Sequence, residues 1–380
     1  MSNFPNLRFP GFEGEWEEKI LSDLGTFSGG GTPTSSNEKF WNGNIPWISS
    51  SDLEEDNIFK INISRFITQD AIEKSSTKLC KAPSVLIVSR VGVGKVALSL
   101  NDVCTSQDFT NISELKCNQL YLAFQLSKVM KKAANEVQGT SIKGISSSEI
   151  KSKKIYLPSI IEQEKISSFI EKIDKRISTQ RKIIEQLASQ MSNLKDLIFE
   201  QQLRFKDDKE NEFPNWQESK LEDICEKQSS SISANKIEDN IGDYPIYGAN
   251  GILKNIDFYD VENDYISIIK DGAGVGRLLY CKAKSSVLGT LDIIKSKDVD
   301  LYFIFLLLSR IDFKKYITGS TIPHIYFKDY KKEKVQIPSL KEQERIANFF
   351  KSLDDKINIE NSLLIQYENQ KKYLLQNLFV

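Results

Sequence analysis

Two stretches of the chain carry apolar residues in alternating steps of four and three. The first runs Ile166, Ile170, Ile173, Ile177, Ile184, Leu187, Met191, Leu194 and Ile198, broken only by Gln180. The second runs Ile346, Phe350, Leu353, Ile357, Leu364, Tyr367, Leu374 and Leu378, with Glu360 and Lys371 as its polar members. This spacing gathers the apolar side chains on one helix stripe, the a/d seam of a coiled coil. Neither stretch contains Pro or Gly, and each follows a Pro and a Ser-x-x-Glu capping box, Ser159 to Glu162 and Ser339 to Glu342. About 40 residues at 1.5 Å each make a helix of about 60 Å, and a seam of that length needs a partner of similar length. Antiparallel pairing of the two is predicted. Gln180 and Glu360 hold the same seam position, so they are expected to meet at its centre and fix the register, with Ile173 near Tyr367 and Leu187 near Leu353.

Outside the helices the apolar runs are short. Ile45–Ile48, Ser84–Ser89 and Lys95–Leu100 predict strands, with a helix around Leu120–Lys132. Tyr265–Ile269, Gly276–Tyr280 and Leu301–Ser309 repeat the strand pair and the helix further on. Strands grouped this way predict an α+β fold rather than an alternating βαβ series.

The chain is also written twice. Leu7-Arg8-Phe9 returns as Leu203-Arg204-Phe205, and Trp16 to Leu24 returns as Trp216 to Ile224. Gly139-Thr140-Ser141-Ile142-Lys143-Gly144-Ile145 returns as Gly319-Ser320-Thr321-Ile322-Pro323-His324-Ile325. Glu162-Gln163-Glu164-Lys165-Ile166 returns as Glu342-Gln343-Glu344-Arg345-Ile346. Each half therefore reads as a globular unit followed by a long helix, which is a pseudo-dimer on one chain. The globular units differ strongly between these marks, and the helices differ less.

Charge changes the picture little. The net charge is −1, but residues 116–154 carry eight Lys against Glu136 and Glu149, and residues 206–240 carry ten acids against five Lys. Local basic surface on a neutral chain is compatible with nucleic acid, although most charge runs are solvated faces. The five cysteines, Cys80, Cys104, Cys117, Cys225 and Cys281, form no metal-spaced pair, which points to incidental thiols in a reducing cytoplasm. No apolar run is long enough to span a bilayer, and the opening residues lack a secretory pattern.

Catalytic patterns are missing. His324 is the only histidine, which excludes His-based triads and multi-His metal sites. The glycine turns Arg90-Val91-Gly92-Val93-Gly94-Lys95 and Gly272-Ala273-Gly274-Val275-Gly276-Arg277 match neither a P-loop nor a dinucleotide fingerprint, and they open strands rather than helices. A glycine turn ending in a cation suits close approach to a DNA phosphate, and it equally suits a plain hairpin. From the residues alone, a DNA-binding adaptor, a coiled-coil scaffold without DNA contact and an enzyme with an ungrouped carboxylate site all stay open.

The paired arrangement resembles the specificity subunit of type I restriction–modification systems. The marks are Leu7 to Trp16, the restart from Leu203 to Trp216, the Pro-Ser-x-x-Glu-Gln-Glu-Lys/Arg-Ile start of both helices, and the Ser89 to Lys95 turn. The resemblance implies target-recognition domains at 1–157 and 205–337, related by pseudo-two-fold symmetry and separated by an antiparallel coiled coil of helices at 158–204 and 338–380. It implies a non-catalytic, cytoplasmic, sequence-specific DNA-binding subunit with no cofactor of its own. Double-stranded DNA would be read as a bipartite asymmetric site, with the coiled coil setting the gap. Two modification subunits would bring S-adenosylmethionine for adenine N6 methylation, and restriction subunits would bring ATP and Mg. DNA contacts are expected at Ser49, Ser50, Ser51, Arg90, Lys95, Thr140, Ser141 and Lys143 in the first half. In the second they are expected at Tyr247, Asn250, Lys270, Arg277, Ser320, Thr321 and His324. The second glycine turn departs from the arginine-containing form, since Asp271-Gly272 stands where the first has Arg90-Val91.

Overall fold

A computed structural model describes residues 4–137 and 144–380. It divides into two units, 1–181 with 363–380, and 182–362. Each unit thus takes the start of the helix that follows its own strands and the end of the other.

The strands of the first unit are β1 (Glu17–Ile20), β2 (Thr26–Gly29), β3 (Ile45–Ile48), β4 (Arg65–Ile67), β5 (Leu79–Cys80), β6 (Ser84–Val88), β7 (Val96–Ser99), β8 (Val103–Thr105), β9 (Phe109–Ser113) and β10 (Lys154–Leu157). β1 and β10 form an antiparallel ribbon, Glu17 opposite Leu157. The other sheets run in the orders β2-β9-β6-β7 and β4-β3-β8-β5, with β3 and β8 parallel. All five residues of β6 are buried, because both of its faces are covered. Val85 and Ile87 pack in a cluster with Tyr121, Phe124 and Met130 of the helix Gln119–Val137. Leu86 and Val88 pack with Ile48, Leu53 and Val103 on the other face. A strand covered on both sides reads as a continuous apolar run instead of an alternating one.

The second unit contains β11 (Gln217–Lys220), β12 (Cys225–Ser229), β13 (Tyr244–Gly248), β14 (Gly251–Ile256), β15 (Tyr265–Ile269), β16 (Leu278–Cys281), β17 (Ser286–Val287), β18 (Leu291–Ser296) and β19 (Lys334–Ile337). Its sheets, β11-β19, β12-β18-β15-β16 and β14-β13-β17, repeat the first unit strand for strand, including the parallel pair β13/β17. Only β5 has no counterpart. β15 splits its side chains as β6 does: Ile266 and Ile268 face the cluster of Ile304 and Leu307 on the helix Leu301–Leu308, while Tyr265 and Ile269 face Tyr247 and Val287. The expected strand Gly276–Tyr280 begins later, at Leu278, because the glycine turn before it is one residue longer than in the first unit.

The central helix spans Ile160–Phe199 and the C-terminal helix Leu340–Asn377. They pack antiparallel. In the first unit Ile166, Ile170, Ile173 and Ile177 share a cluster with Leu374, Leu378, Leu364 and Tyr367. Asp174 pairs with Lys371 at 2.5 Å, Arg181 with Glu368 at 2.7 Å, and Arg176 lies 5.4 Å over the Tyr367 ring. In the second unit Met191, Leu194 and Ile198 share a cluster with Ile346, Phe350 and Leu353. Leu353 shares that cluster with Met191, one turn beyond its expected neighbour Leu187. Gln180 is 5 % exposed in the first unit, and Glu360 is half-buried in the second.

The capping boxes are also corrected. Ser159 Oγ does accept from the Glu162 N–H at 3.3 Å, but Ser339 Oγ is buried with no hydrogen-bond partner. Neither glutamate side chain folds back on the cap. Glu162 instead holds Arg8 through two bonds of 2.8 Å, and Glu342 holds Arg204 at 3.1 and 2.7 Å. Gln163 and Gln343 each donate to the preceding Pro carbonyl and accept a backbone N–H, from Asn118 and Asp300. The repeated Leu-Arg-Phe and Glu-Gln-Glu marks are therefore two halves of one joint, made once per unit. A planar guanidinium matches a carboxylate bidentately, so neither charge is buried unpaired.

Candidate nucleic-acid interface

In the first unit three segments meet at one end of the sheets. The first follows β3. Ser49 receives a bond from Arg65 at 2.7 Å and its N–H binds Asp52 at 2.7 Å, while Arg65 also pairs with Asp52 and covers the Trp47 ring at 4.5 Å. The second is the glycine turn between β6 and β7. Lys95, at its end, donates to the Ser50 and Leu53 carbonyls at 3.2 and 2.9 Å. It braces the turn against the serine loop, and Gly92 sits beside Ser50. The third is the segment at Gly144-Ile145, whose Ile145 N–H binds the Ser89 carbonyl at 2.8 Å. Gly144 lies so close that a Cβ there would fall 2.6 Å from that carbonyl. Arg90, Val91 and Gly92 form the exposed tip. Thr140, Ser141 and Lys143 lie outside the described residues.

The second unit brings together the same three segments with different chemistry. Arg277 ends its glycine turn and donates to the Ala249 carbonyl at 3.1 Å and to Asn250 Oδ1 at 3.3 Å. The third segment is a tight hairpin in which Thr318 and His324 exchange backbone bonds of 2.9 and 2.8 Å, with Gly319 at φ 88°. Ser320 and Thr321 are its exposed tip. The His324 ring sits 3.2 Å from the Ile322 carbonyl and 5.0 Å from the Tyr326 ring. Its neighbour Ile325 binds the Lys270 carbonyl at 2.9 Å. The closing glycine of each turn passes tightly over a neighbour: at Gly94, φ 106°, a Cβ would lie 3.1 Å from Ala134, and at Gly276, φ 86°, 2.8 Å from Phe313. Side chains are disfavoured there by both backbone and space.

The structure thus brings Ser49, Ser50, Ser51, Arg90 and Lys95 together, and Asn250, Arg277, Ser320, Thr321 and His324 likewise. Lys95 and Arg277 spend their donors on neighbouring loops. Lys270 points to Asp292, at 3.3 Å, rather than outward. Tyr247 is 8 % exposed, and its hydroxyl accepts the Lys282 N–H at 3.3 Å, so it is a core residue. Sequence reasoning missed Arg65 and Asp52, which shape the serine loop. An Arg following a tryptophan strand carried no signal for that role.

Groups suited to catalysis do not collect here. Among the described residues no three His, Cys, Asp or Glu are placed to hold a metal ion. Burial pushes the thiols of Cys104, Cys225 and Cys281 up to about 12 and that of Cys117 up to about 11, so thiolate is scarce at neutral pH. No helix among the described residues is long and apolar enough to cross a membrane.

Comparison with known proteins agrees with this arrangement. The sequence matches the family model described as the type I restriction modification DNA specificity domain twice, over residues 13–189 and 214–369. It is 25% identical over 379 residues to the type I restriction enzyme MjaIX specificity subunit of Methanocaldococcus jannaschii, covering 90% of this chain and 88% of that one. It is 34% identical over 172 residues to the EcoR124I/EcoR124II specificity subunit of Escherichia coli, covering 43% and 42%. The crystal structure of a type I restriction-modification S subunit from M. genitalium shares the fold, with a TM-score of 0.65, 17% identity and 99% of both chains covered. With both halves matched by one family, with the same strand order in each and with the paired helices that follow them, this chain belongs to the type I restriction–modification DNA specificity subunits.

Proposed function

We propose that the chain reads a bipartite, asymmetric DNA site, one half-site per β-rich unit, and performs no chemistry of its own. The observation that carries this is the convergence of the same three loops in both units, built on an equivalent frame but lined by different side chains. Equivalent frames dock alike, and unlike side chains read unlike sequences. The length of the antiparallel helices sets the gap between half-sites, and Gln180 and Glu360, polar members of the seam, keep its register. Two modification subunits carrying S-adenosylmethionine would methylate adenine at the site. Restriction subunits using ATP and Mg would join them, all within the cytoplasm.

Mapping methylated adenines in cells that carry this chain with its modification subunit tests the reading. A two-part motif is expected. Exchanging residues 10–155 for those of a relative should change one part, and exchanging 215–335 the other. A motif in which either exchange alters both parts would overturn the assignment, as would methyl transfer by the purified chain alone.

A further inference from the structure

The two glycine turns can be aligned by hydrogen bonds instead of by letters. The Val88 N–H binds the Lys95 carbonyl at 3.0 Å, and the Ile269 N–H binds the Arg277 carbonyl at 3.0 Å. The Ser89 N–H binds the Asp108 carbonyl at 2.8 Å, and the Lys270 N–H binds the Thr290 carbonyl at 3.0 Å. The Ser89 and Lys270 carbonyls then accept from Ile145 and Ile325. Ser89 and Lys270 are therefore the same structural position, and the residue that follows it is Arg90 in one unit and Asp271 in the other. The turns themselves close with the Val93 N–H on the Arg90 carbonyl at 3.0 Å and the Val275 N–H on the Gly272 carbonyl at 3.3 Å, so Asp271 is the extra residue of the second unit, inserted just before its turn. Neither the Arg90 nor the Asp271 side chain makes a hydrogen bond or ion pair among the described residues. Arg90 lies beside Gly144 of the third segment and Asp271 bridges to His324 of its own, each next to a turn braced by Lys95 or Arg277.

We propose that the first residue past this strand position reads a base edge in each unit, Arg90 selecting guanine in one half-site and Asp271 cytosine in the other. The inference rests on the function proposed above. Arg90 offers a planar pair of donors, which matches the O6 and N7 acceptors of guanine in the major groove. Asp271 offers only acceptors. Guanine repels it with two acceptors and thymine with O4. Adenine presents an amino donor, but beside the N7 acceptor. Cytosine presents its N4 amino group with no acceptor next to it, so it is the base a carboxylate selects. One G·C pair of the first half-site and one C·G pair of the second are then read.

The test is selection from a randomised duplex library at fixed salt, using the full chain bound to its modification subunit. Arg90→Gln should relax one guanine in one half-site, lower affinity for the original site roughly ten- to hundred-fold and leave the other half-site unchanged. Asp271→Asn should turn one cytosine of the other half-site toward adenine, and Asp271→Arg should turn it toward guanine. Arg90 is exposed and Asp271 half-buried, and neither side chain has a hydrogen-bond partner among the described residues, so the thermal unfolding of the variants should stay close to that of the wild type. A uniform loss of affinity with the log–log salt slope reduced by about one would make Arg90 a phosphate contact and overturn the inference. A wild-type consensus that persists unchanged in every variant would also overturn it while leaving the DNA-reading function standing. A wild-type complex with no sequence preference would remove both.

Discussion

The joint at the start of each helix and the loops at the end of the sheets show opposite fates of one duplicated pattern. At the joint the ion pair and the glutamine bonds are made twice with the same chemistry: Arg8 to Glu162 and Arg204 to Glu342, Gln163 to Pro158 and Gln343 to Pro338. At the loops only the backbone frame is repeated. Lys95 and Arg277 brace equivalent turns, while the residue after the strand is Arg90 in one unit and Asp271, of opposite charge, in the other. A part that must pack against an identical helix start keeps its side chains, because a buried carboxylate tolerates few partners. Side chains facing solvent at a loop tip carry no such constraint and are free to diverge in what they recognise.

The helix ends give the largest way to break this comparison. Phe379 packs on Tyr121 at 5.1 Å, and its equivalent Phe199 stacks on Phe303 at 5.4 Å. Phe379 is buried and Phe199 half-buried. Phe379→Ala should cost about 3–5 kcal/mol of unfolding free energy in urea, and Phe199→Ala less. Equal losses would show that the two sockets are equally deep.

The joints themselves are expected to be equal. Glu162→Ala and Glu342→Ala should each cost about 3 kcal/mol, because each leaves a guanidinium without its bidentate partner. Arg8 and Arg204 retain some exposure, 20% and 22%, which limits the loss. Fluorescence of the buried Trp16 and Trp216 would follow both transitions. A difference above about 1 kcal/mol would break the symmetry.

The turn braces should be weaker and unequal. Lys95 is half-buried and holds two carbonyls, whereas Arg277 is exposed. Lys95→Ala should cost about 1–2 kcal/mol and Arg277→Ala about 0.5 kcal/mol. Faster hydrogen exchange confined to residues 90–95 or 271–277 would report the loosened turn.

The smallest effect separates two equivalent carboxylates of the helix pair. Burial holds Asp174 above the usual carboxylate range, opposed by Lys371, and burial raises Asp354 as well, where its neighbour is the Tyr302 hydroxyl. A raised folded pKa means the folded state binds the proton more tightly. The contribution is then fully present below the unfolded value of about 3.9 and is lost as pH rises through the folded value. Stability of wild type relative to Asp174→Asn and to Asp354→Asn should therefore improve as pH falls toward about 4. An unchanged difference across that range would place both carboxylates in open solvent.

Much of the fold was legible because its signals are local or repeated. The a/d seams, the strands Ile45–Ile48 and Ser84–Val88 and the helix Leu301–Leu308 all showed in the apolar spacing. The strands β9 and β18 did not, since they bury polar residues such as Asn111 and Asp292, and β2 and β12 did not, since their residues are mostly polar and exposed with no apolar alternation. Tyr247 looked like a loop residue beside Gly248 and proved to be core, because β13 is sandwiched between β14 and β17.

The sequence by itself determined the duplication, the helix pair, the lack of a histidine-based site and the family, because each is written as spacing or as a recurring string. Only the tertiary structure decided which polar side chains remain available at the loop end of the sheets. Lys95 is satisfied by carbonyls 45 and 42 residues away, and Arg8 by a carboxylate 154 residues away. No local pattern encodes such partners. They arise when loops distant along the chain are carried to the same end of the packed sheets, and that closure leaves Arg90 and Asp271 among the charged side chains with nothing among the described residues to bind.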